Sequence, residues 1–99
     1  MAELSVIIAD LRSKADELEG LNQQFLSEVG ILEETEGALN GMWEGEARNQ
    51  FHTAFLNDST QMHNFYNAVA AYVAALENAI IMYQNAESQN VELAVARSY

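Results

Sequence analysis

Two histidines and a run of acids are the side chains best equipped for chemistry in this 99-residue chain. His52 and His63 stand eleven residues apart, close to three helical turns. On one helix they share a face but lie roughly 16 Å apart along the axis. Zinc holds its ligand nitrogens at about 2 Å, so one ion cannot join them. Glu33, Glu34 and Glu36 could attract a cation, but they lack the Asp, Asn and Gly loop pattern of calcium sites. A solvated acidic face and surface or seam histidines are the expectation. The chain has no cysteine, which removes disulfides, thiolate nucleophiles and zinc–thiolate sites together. It shows no nucleophile–base pairing, Gly-rich phosphate loop or cofactor fingerprint. The expectation is a protein that is not an enzyme, with no catalytic residues, no metal and no cofactor.

Composition narrows the remaining classes. The length suits one domain, 1–99, and 49% hydrophobic residues can supply a core. The formal net charge is -11, with 11 acids and three bases in residues 1–50 against four acids and one base in 51–99. Phosphate backbones are repelled by such a chain, so a nucleic-acid partner is not expected. Anionic membrane surfaces are disfavoured for the same reason, which leaves membrane interaction conceivable but unfavoured. The start, Met1-Ala2-Glu3-Leu4-Ser5, lacks the basic residues and long apolar run of a secretory signal peptide. No stretch is expected to reach the roughly 20 apolar residues of a membrane span.

Two elements carry these residues. Leu4, Leu11, Leu18, Phe25, Leu32 and Leu39 recur every seven residues. Met1, Ile8, Ala15, Asn22, Val29 and Glu36 fill the companion row, with Ile7 and Leu21 widening the stripe. This period belongs to a helix that packs along a partner helix. Asn22 and Glu36 weaken that seam, and a break near Gly20 is the main alternative to one continuous helix. In the second half the stripe runs Phe51, Phe55, Asp58, Met62, Phe65, Val69, Tyr72, Leu76, Ala79, Tyr83 and Ala86, interrupted only by Asp58. Small residues in 68–76 place a close helix contact there. The chain has no proline to interrupt either helix. Between the patterns, Asn40-Gly41 signals a helix stop, and Glu44 and Glu46 suit the positive end of a new helix. The fold expected is all-α: helix 1 at about 3–39, a turn at 40–45, helix 2 at about 46–87 and a frayed tail at 88–99.

A short turn makes the helices antiparallel neighbours. Two helices alone cannot bury stripes this wide, because a lone hairpin has too much surface for its volume. A second hairpin would complete a four-helix bundle, with a homodimer as the default and a heterodimer with a related chain as the alternative. Leu11, Leu18, Phe25, Leu32, Phe55, Met62, Phe65, Val69, Tyr72 and Leu76 are the expected core and dimer seam.

The turn holds Trp43-Glu44-Gly45, and near the end of helix 2 comes Tyr83-Gln84-Asn85-Ala86-Glu87. A tryptophan can staple a turn onto a bundle end, and glycine two residues on admits a conformation or close approach that other residues resist. A Trp-x-Gly turn at mid-chain, two long proline-free helices and a late Tyr-x-x-x-acid spacing together resemble the WXG family. These are the small early-secreted-antigen-like proteins of type VII secretion systems, and the resemblance covers essentially the whole chain. It implies a hairpin that dimerises into a four-helix bundle. It implies export of the folded dimer without a cleaved signal peptide, from the cytoplasm, by a membrane machine driven by an ATPase. The implied export signal is bipartite: Trp43 and Gly45 match its turn, and Tyr83 and Glu87 match its tail segment.

Helix geometry suits that pairing. Within one hairpin Tyr83 lies on the order of 55 Å from the turn. In an antiparallel dimer the turn of one chain meets the termini of the other, so only a dimer displays both parts together. Two other functions fit the same residues. One is a partner or targeting chaperone for a larger secreted protein, whose matching groups would rescue Asn22, Glu36 and Asp58. The other is a membrane-active effector whose helices open onto lipid.

Overall fold

A computed structural model describes the backbone of residues 2–96. Helix α1 spans Ala2–Met42 and helix α2 spans Glu46–Ala96. No strand occurs among the described residues. The helices run antiparallel: Ile8 shares a cluster with Ile80, the Asn22 side chain reaches the Tyr66 carbonyl, and Glu36 meets His52. The result is a rod of 83 × 16 × 14 Å, one layer of two helices.

The first helix is continuous, as the main sequence reading has it, while several boundaries differ from expectation. Helix α1 passes through Gly20 without a break, and a methyl group placed on that glycine would touch nothing within 4 Å. Its cost is conformational only, about 0.5–1 kcal/mol against Ala, and a 41-residue helix absorbs it. Asn40 and Gly41 do not stop the helix; the chain leaves it after Met42. Arg48 donates to the Asn40 carbonyl at 3.3 Å and so satisfies one of the carbonyls a helix end exposes. The expected turn of 40–45 thus shrinks to Trp43-Glu44-Gly45. At the far end α2 continues to Ala96 rather than ending at Glu87, so residues 88–96 are helical. Residues 97–99 of the expected frayed tail lie outside the described residues.

The contact between the helices is narrower than the apolar stripes. The row Ile8, Ala15, Asn22, Val29 and Glu36 is buried against α2. On α2 the inward row is His52, Ser59, Tyr66, Val73, Ile80 and Glu87, a seven-residue repeat in which only two members are aliphatic. Val29 and Ile80 are each 1% exposed, and burying such a side chain contributes about 1.5–3 kcal/mol. Ile8, Ala15 and Ile80, flanked by Leu4, Leu11 and Leu76, form the apolar cluster near the termini. Toward the turn the same seam is polar.

Candidate functional site

The row next to the seam decides what the hairpin can bind. Leu11, Leu18, Phe25, Phe55, Met62, Val69 and Leu76 are only partly buried, while Leu32, Phe65 and Tyr72 are exposed. In the isolated hairpin these ten residues, expected as core and dimer seam, line the edge of the helix pair, with Leu11 and Leu76 packed against the buried cluster. They lie one helical step away from the inward rows, and on both helices they lie on the same side. With Ile7, Leu21 and Phe51 they make an apolar face along the rod, interrupted by Lys14, Glu28 and Asp58. The Phe25 and Phe65 rings meet edge to face at 5.4 Å across the helix pair. Beside them Leu18, Leu21, Asn22, Phe25, Phe65 and Val69 line a groove of about 180 Å³. The opposite face is polar, with Glu19, Gln23, Tyr66 and Glu77 around a second groove. Other exposed apolar side chains, such as Val6, Leu56 and Ile81, are scattered singly and form no patch.

Surface area gives the scale of what is uncovered. The chain exposes 7414 Å², whereas a compact monomer of 11.0 kDa exposes about 5,600 Å². The excess, about 1,800 Å² per chain, is on the scale that one partner of an obligate interface loses. Small residues in 68–76 do not all serve the intrachain contact: Val69, Val73 and Leu76 touch the seam, and the alanines between them are exposed.

The polar half of the seam largely satisfies itself, the exception being the buried Asn40 Oδ1, which has no hydrogen-bond partner among the described residues. Asn22 donates from Nδ2 to the Tyr66 carbonyl at 3.1 Å, and Gln23 donates to the Tyr66 hydroxyl at 3.1 Å. Buried Glu36 accepts from His52 Nδ1 at 2.6 Å. The Ser59 hydroxyl and His63 Nε2 both reach Glu33 Oε2, at 2.6 and 3.1 Å. Asn22 and Glu36 therefore have hydrogen-bond partners within the chain; of the three polar seam positions only Asp58 remains outward on the apolar face. The acidic run is not wholly solvated either, since Glu33 and Glu36 turn into the seam.

Hydrogen bonds from Ser59 and His63 hold the Glu33 carboxyl below its ordinary value of 4.5. A depressed folded value means stability that is present above the ordinary value and lost as pH falls through the folded one. Thermal melts between pH 6 and 3 should show a smaller acid loss for Ser59→Ala than for the parent chain. Parallel curves for the two would mean that this carboxylate is not linked to folding.

At the turn the Trp43 amide donates to the Leu39 carbonyl at 3.1 Å, and the indole packs on Phe51 with ring centroids 5.9 Å apart. Trp43 stays 36% exposed. Gly45 has φ +111°, and a Cβ there would meet nothing within 4 Å. Backbone conformation, not crowding, makes this a glycine position. Gly45→Ala should lower stability by about 1–3 kcal/mol, read as a drop in Tm by circular dichroism. An unchanged Tm would show that the turn relaxes to a conformation open to any residue.

Tyr83 is half exposed on the apolar face, and Glu87 lies one turn later against α1, where its carboxylate accepts from the Ser5 hydroxyl at 2.6 Å. That bond, first among the causes, lowers the Glu87 pKa. Glu87 is thus engaged by its own chain rather than simply solvated. Within one chain the turn pair and the tail pair stand at opposite ends of the rod and are not brought together. Sequence reading missed Ser5, Ser59 and Tyr66, whose roles depend on the antiparallel register and have no local signature.

Compared with family models, with curated proteins and with solved structures, the chain matches none.

Proposed function

We propose that this protein is a small exported substrate of a type VII secretion system and works as a dimer of hairpins. The observation that carries the reading is the placement of the Trp-x-Gly tripeptide. Trp43, Glu44 and Gly45 are the entire break between two long helices, with glycine in the left-handed region and about a third of Trp43 exposed. An exposed Trp fixed on a rigid bundle end is what a receptor could read. Tyr83 offers a second exposed aromatic at the other end. The apolar face between them supports pairing of two copies, antiparallel, so that each bundle end carries Trp43 and Gly45 from one chain and Tyr83 and Glu87 from the other. The secretion ATPase is the partner that would read this composite. The test is export from a host with an active type VII machine. Trp43→Ala and the double change Tyr83→Ala/Glu87→Ala should each hold a folded dimer inside the cell, and export of either variant at the parent level would sink the proposal. A partner chaperone for a larger secreted protein is the alternative on the same apolar face, but the largely self-satisfied seam weakens its main argument.

One observation favours a second reading, that of a membrane-active effector. Contrary to the sequence expectation, α2 contains an 18-residue window of mean hydropathy 1.3, long and apolar enough to cross a membrane by length and composition, and only 11% of that window is buried. The net charge of -11 opposes approach to anionic lipid. Dye release from anionic liposomes should be absent at neutral pH and at pH 5; release at either would favour the effector.

A further inference from the structure

The apolar face carries three charges, and their positions define how two copies fit. Along α1 the row that points straight off this face is Ile7, Lys14, Leu21, Glu28, Thr35 and Met42. Lys14 is the chain's sole lysine. It and Glu28 each stand two helical turns from Leu21, on opposite sides. Leu21 is 54% exposed and lines the apolar groove. Two hairpins that meet by this face with their turns at opposite ends are related by a two-fold axis lying between them. That axis lays α1 over α1 of the second copy, antiparallel, and α2 over α2. Antiparallel helices pair such flanking rows with themselves, so a base and an acid at equal distances from the axis meet twice.

We infer that two copies of this chain pair with Leu21 on the two-fold axis, so that Lys14 of each meets Glu28 of the other. The inference rests on the dimeric reading above and adds its register. Three further observations agree with it. Asp58 is the third charge on the face, and it sits two residues, or about 3 Å along the axis, from the level of Glu28, so both acids of the face lie near the level of the same lysine. Among the described residues Lys14 pairs with Glu17, at 3.2 Å, both side chains being more than half exposed. Such a pair is worth little and yields readily to an interchain partner. Last, Leu21 is level with Asn67, since Asn22 is level with Tyr66. Tyr83 and Phe51 lie sixteen residues to either side of Asn67. The same axis therefore brings Tyr83 of one copy level with Phe51 of the other, against which Trp43 packs. One register, chosen by charge, also assembles the aromatic end of the bundle.

The chain contains no cysteine, so single cysteines report the register cleanly. Leu21→Cys should form an interchain disulfide on mild oxidation. Ile7→Cys and Thr35→Cys, each about 42 Å from its own symmetry mate, should not link to themselves but should link to each other when mixed. Lys14→Glu and Glu28→Lys should each weaken the dimer about tenfold or more, and the two together in one chain should restore it. All these side chains are exposed, so the hairpin itself is not at risk. A parent chain that sediments as a dimer while Leu21→Cys and the mixed pair stay unlinked overturns the register and leaves the dimer standing. Single charge reversals without effect on that dimer remove the charge pair as its determinant. A parent chain that sediments as a monomer, with or without capture of a different protein, overturns both.

Discussion

Phe65→Asp should convert the proposed dimer to monomers and loosen their helices. Phe65 is 58% exposed on the isolated hairpin, so the change costs the hairpin little beyond its edge contact with Phe25. In a face-to-face dimer the same residue lies at the centre of the bundle. There the substitution forfeits about 1.5–3 kcal/mol of apolar burial in each chain. It also places an unpaired carboxylate among Phe25, Val69 and Leu18, which costs several kcal/mol more. The dissociation constant should rise by about a thousandfold or more. Sedimentation at micromolar concentration reads the mass, and circular dichroism across a dilution series reads the coupled loss of helix. Ile81→Asp is the matched control, because Ile81 is half exposed but off the apolar face; it should leave the dimer intact. Dimeric Phe65→Asp protein, or equal damage from both changes, would show that this face is not the interface.

The proposed coupling of folding to pairing rests on how little the hairpin buries alone. Among the described residues five hydrophobic side chains are buried: Ile8, Ala15, Val29, Val73 and Ile80. Such a core is small against the conformational entropy of ordering this many residues. Near the turn the seam consists of Glu33, Glu36, His52, Ser59 and His63, whose hydrogen bonds satisfy one another but contribute modestly to net stability. The apolar face, rather than the seam, is the large reserve of stabilising surface.

The helical period and the hairpin were legible because Leu4, Leu11, Leu18 and Phe25 keep a seven-residue spacing that a strand cannot support. Helix 2 was harder. Its most apolar row, Phe51, Phe65 and Tyr72, looks like a core and faces outward, while the row that meets α1 runs through His52, Ser59, Tyr66 and Glu87. Hydropathy finds the wetter of two possible seams only when the partner is in view. The pairing of Glu36 with His52 and of Glu33 with His63 is a matter of register, which single-chain periodicity does not contain. Trp43 and Gly45 stood out as residue types, but Asn40-Gly41 misled the boundary. Gly41 has an ordinary helical backbone, and the positive φ that ends the segment belongs to Gly45 alone. The length of α2 was underestimated because the stripe fades after Ala86, although Gln89, Glu92, Leu93 and Ala94 are sound helix formers.

The second large effect concerns export. Trp43→Ala removes the exposed indole and its packing on Phe51 while leaving both helices and the apolar face in place. Tyr83→Ala removes the other aromatic from a half-exposed position. Each homodimer should remain in the cell, at about a tenth or less of the parent's exported fraction, because both of its ends are incomplete. Glu87 requires a separate reading, since Ser5 also uses it. Glu87→Gln keeps an acceptor for the hydroxyl and removes the charge. Loss of export in that variant, with Tm preserved, would assign the carboxylate to recognition rather than to holding the helix end.

A mixed dimer tests the central claim most directly. Co-expressed chains carrying Trp43→Ala and Tyr83→Ala form some dimers that contain one of each. At one end of such a dimer both defects coincide, and at the other an intact Trp43 meets an intact Tyr83. The measurement is the exported amount of the two tagged chains together, against each expressed alone. The composite signal predicts that the mixture leaves the cell at about half the parent level, as random pairing of the chains gives, with both tags in the medium in equal amounts. If both tagged chains stay inside, although pull-down shows that they have paired, the two motifs are not read across the dimer and the account is wrong.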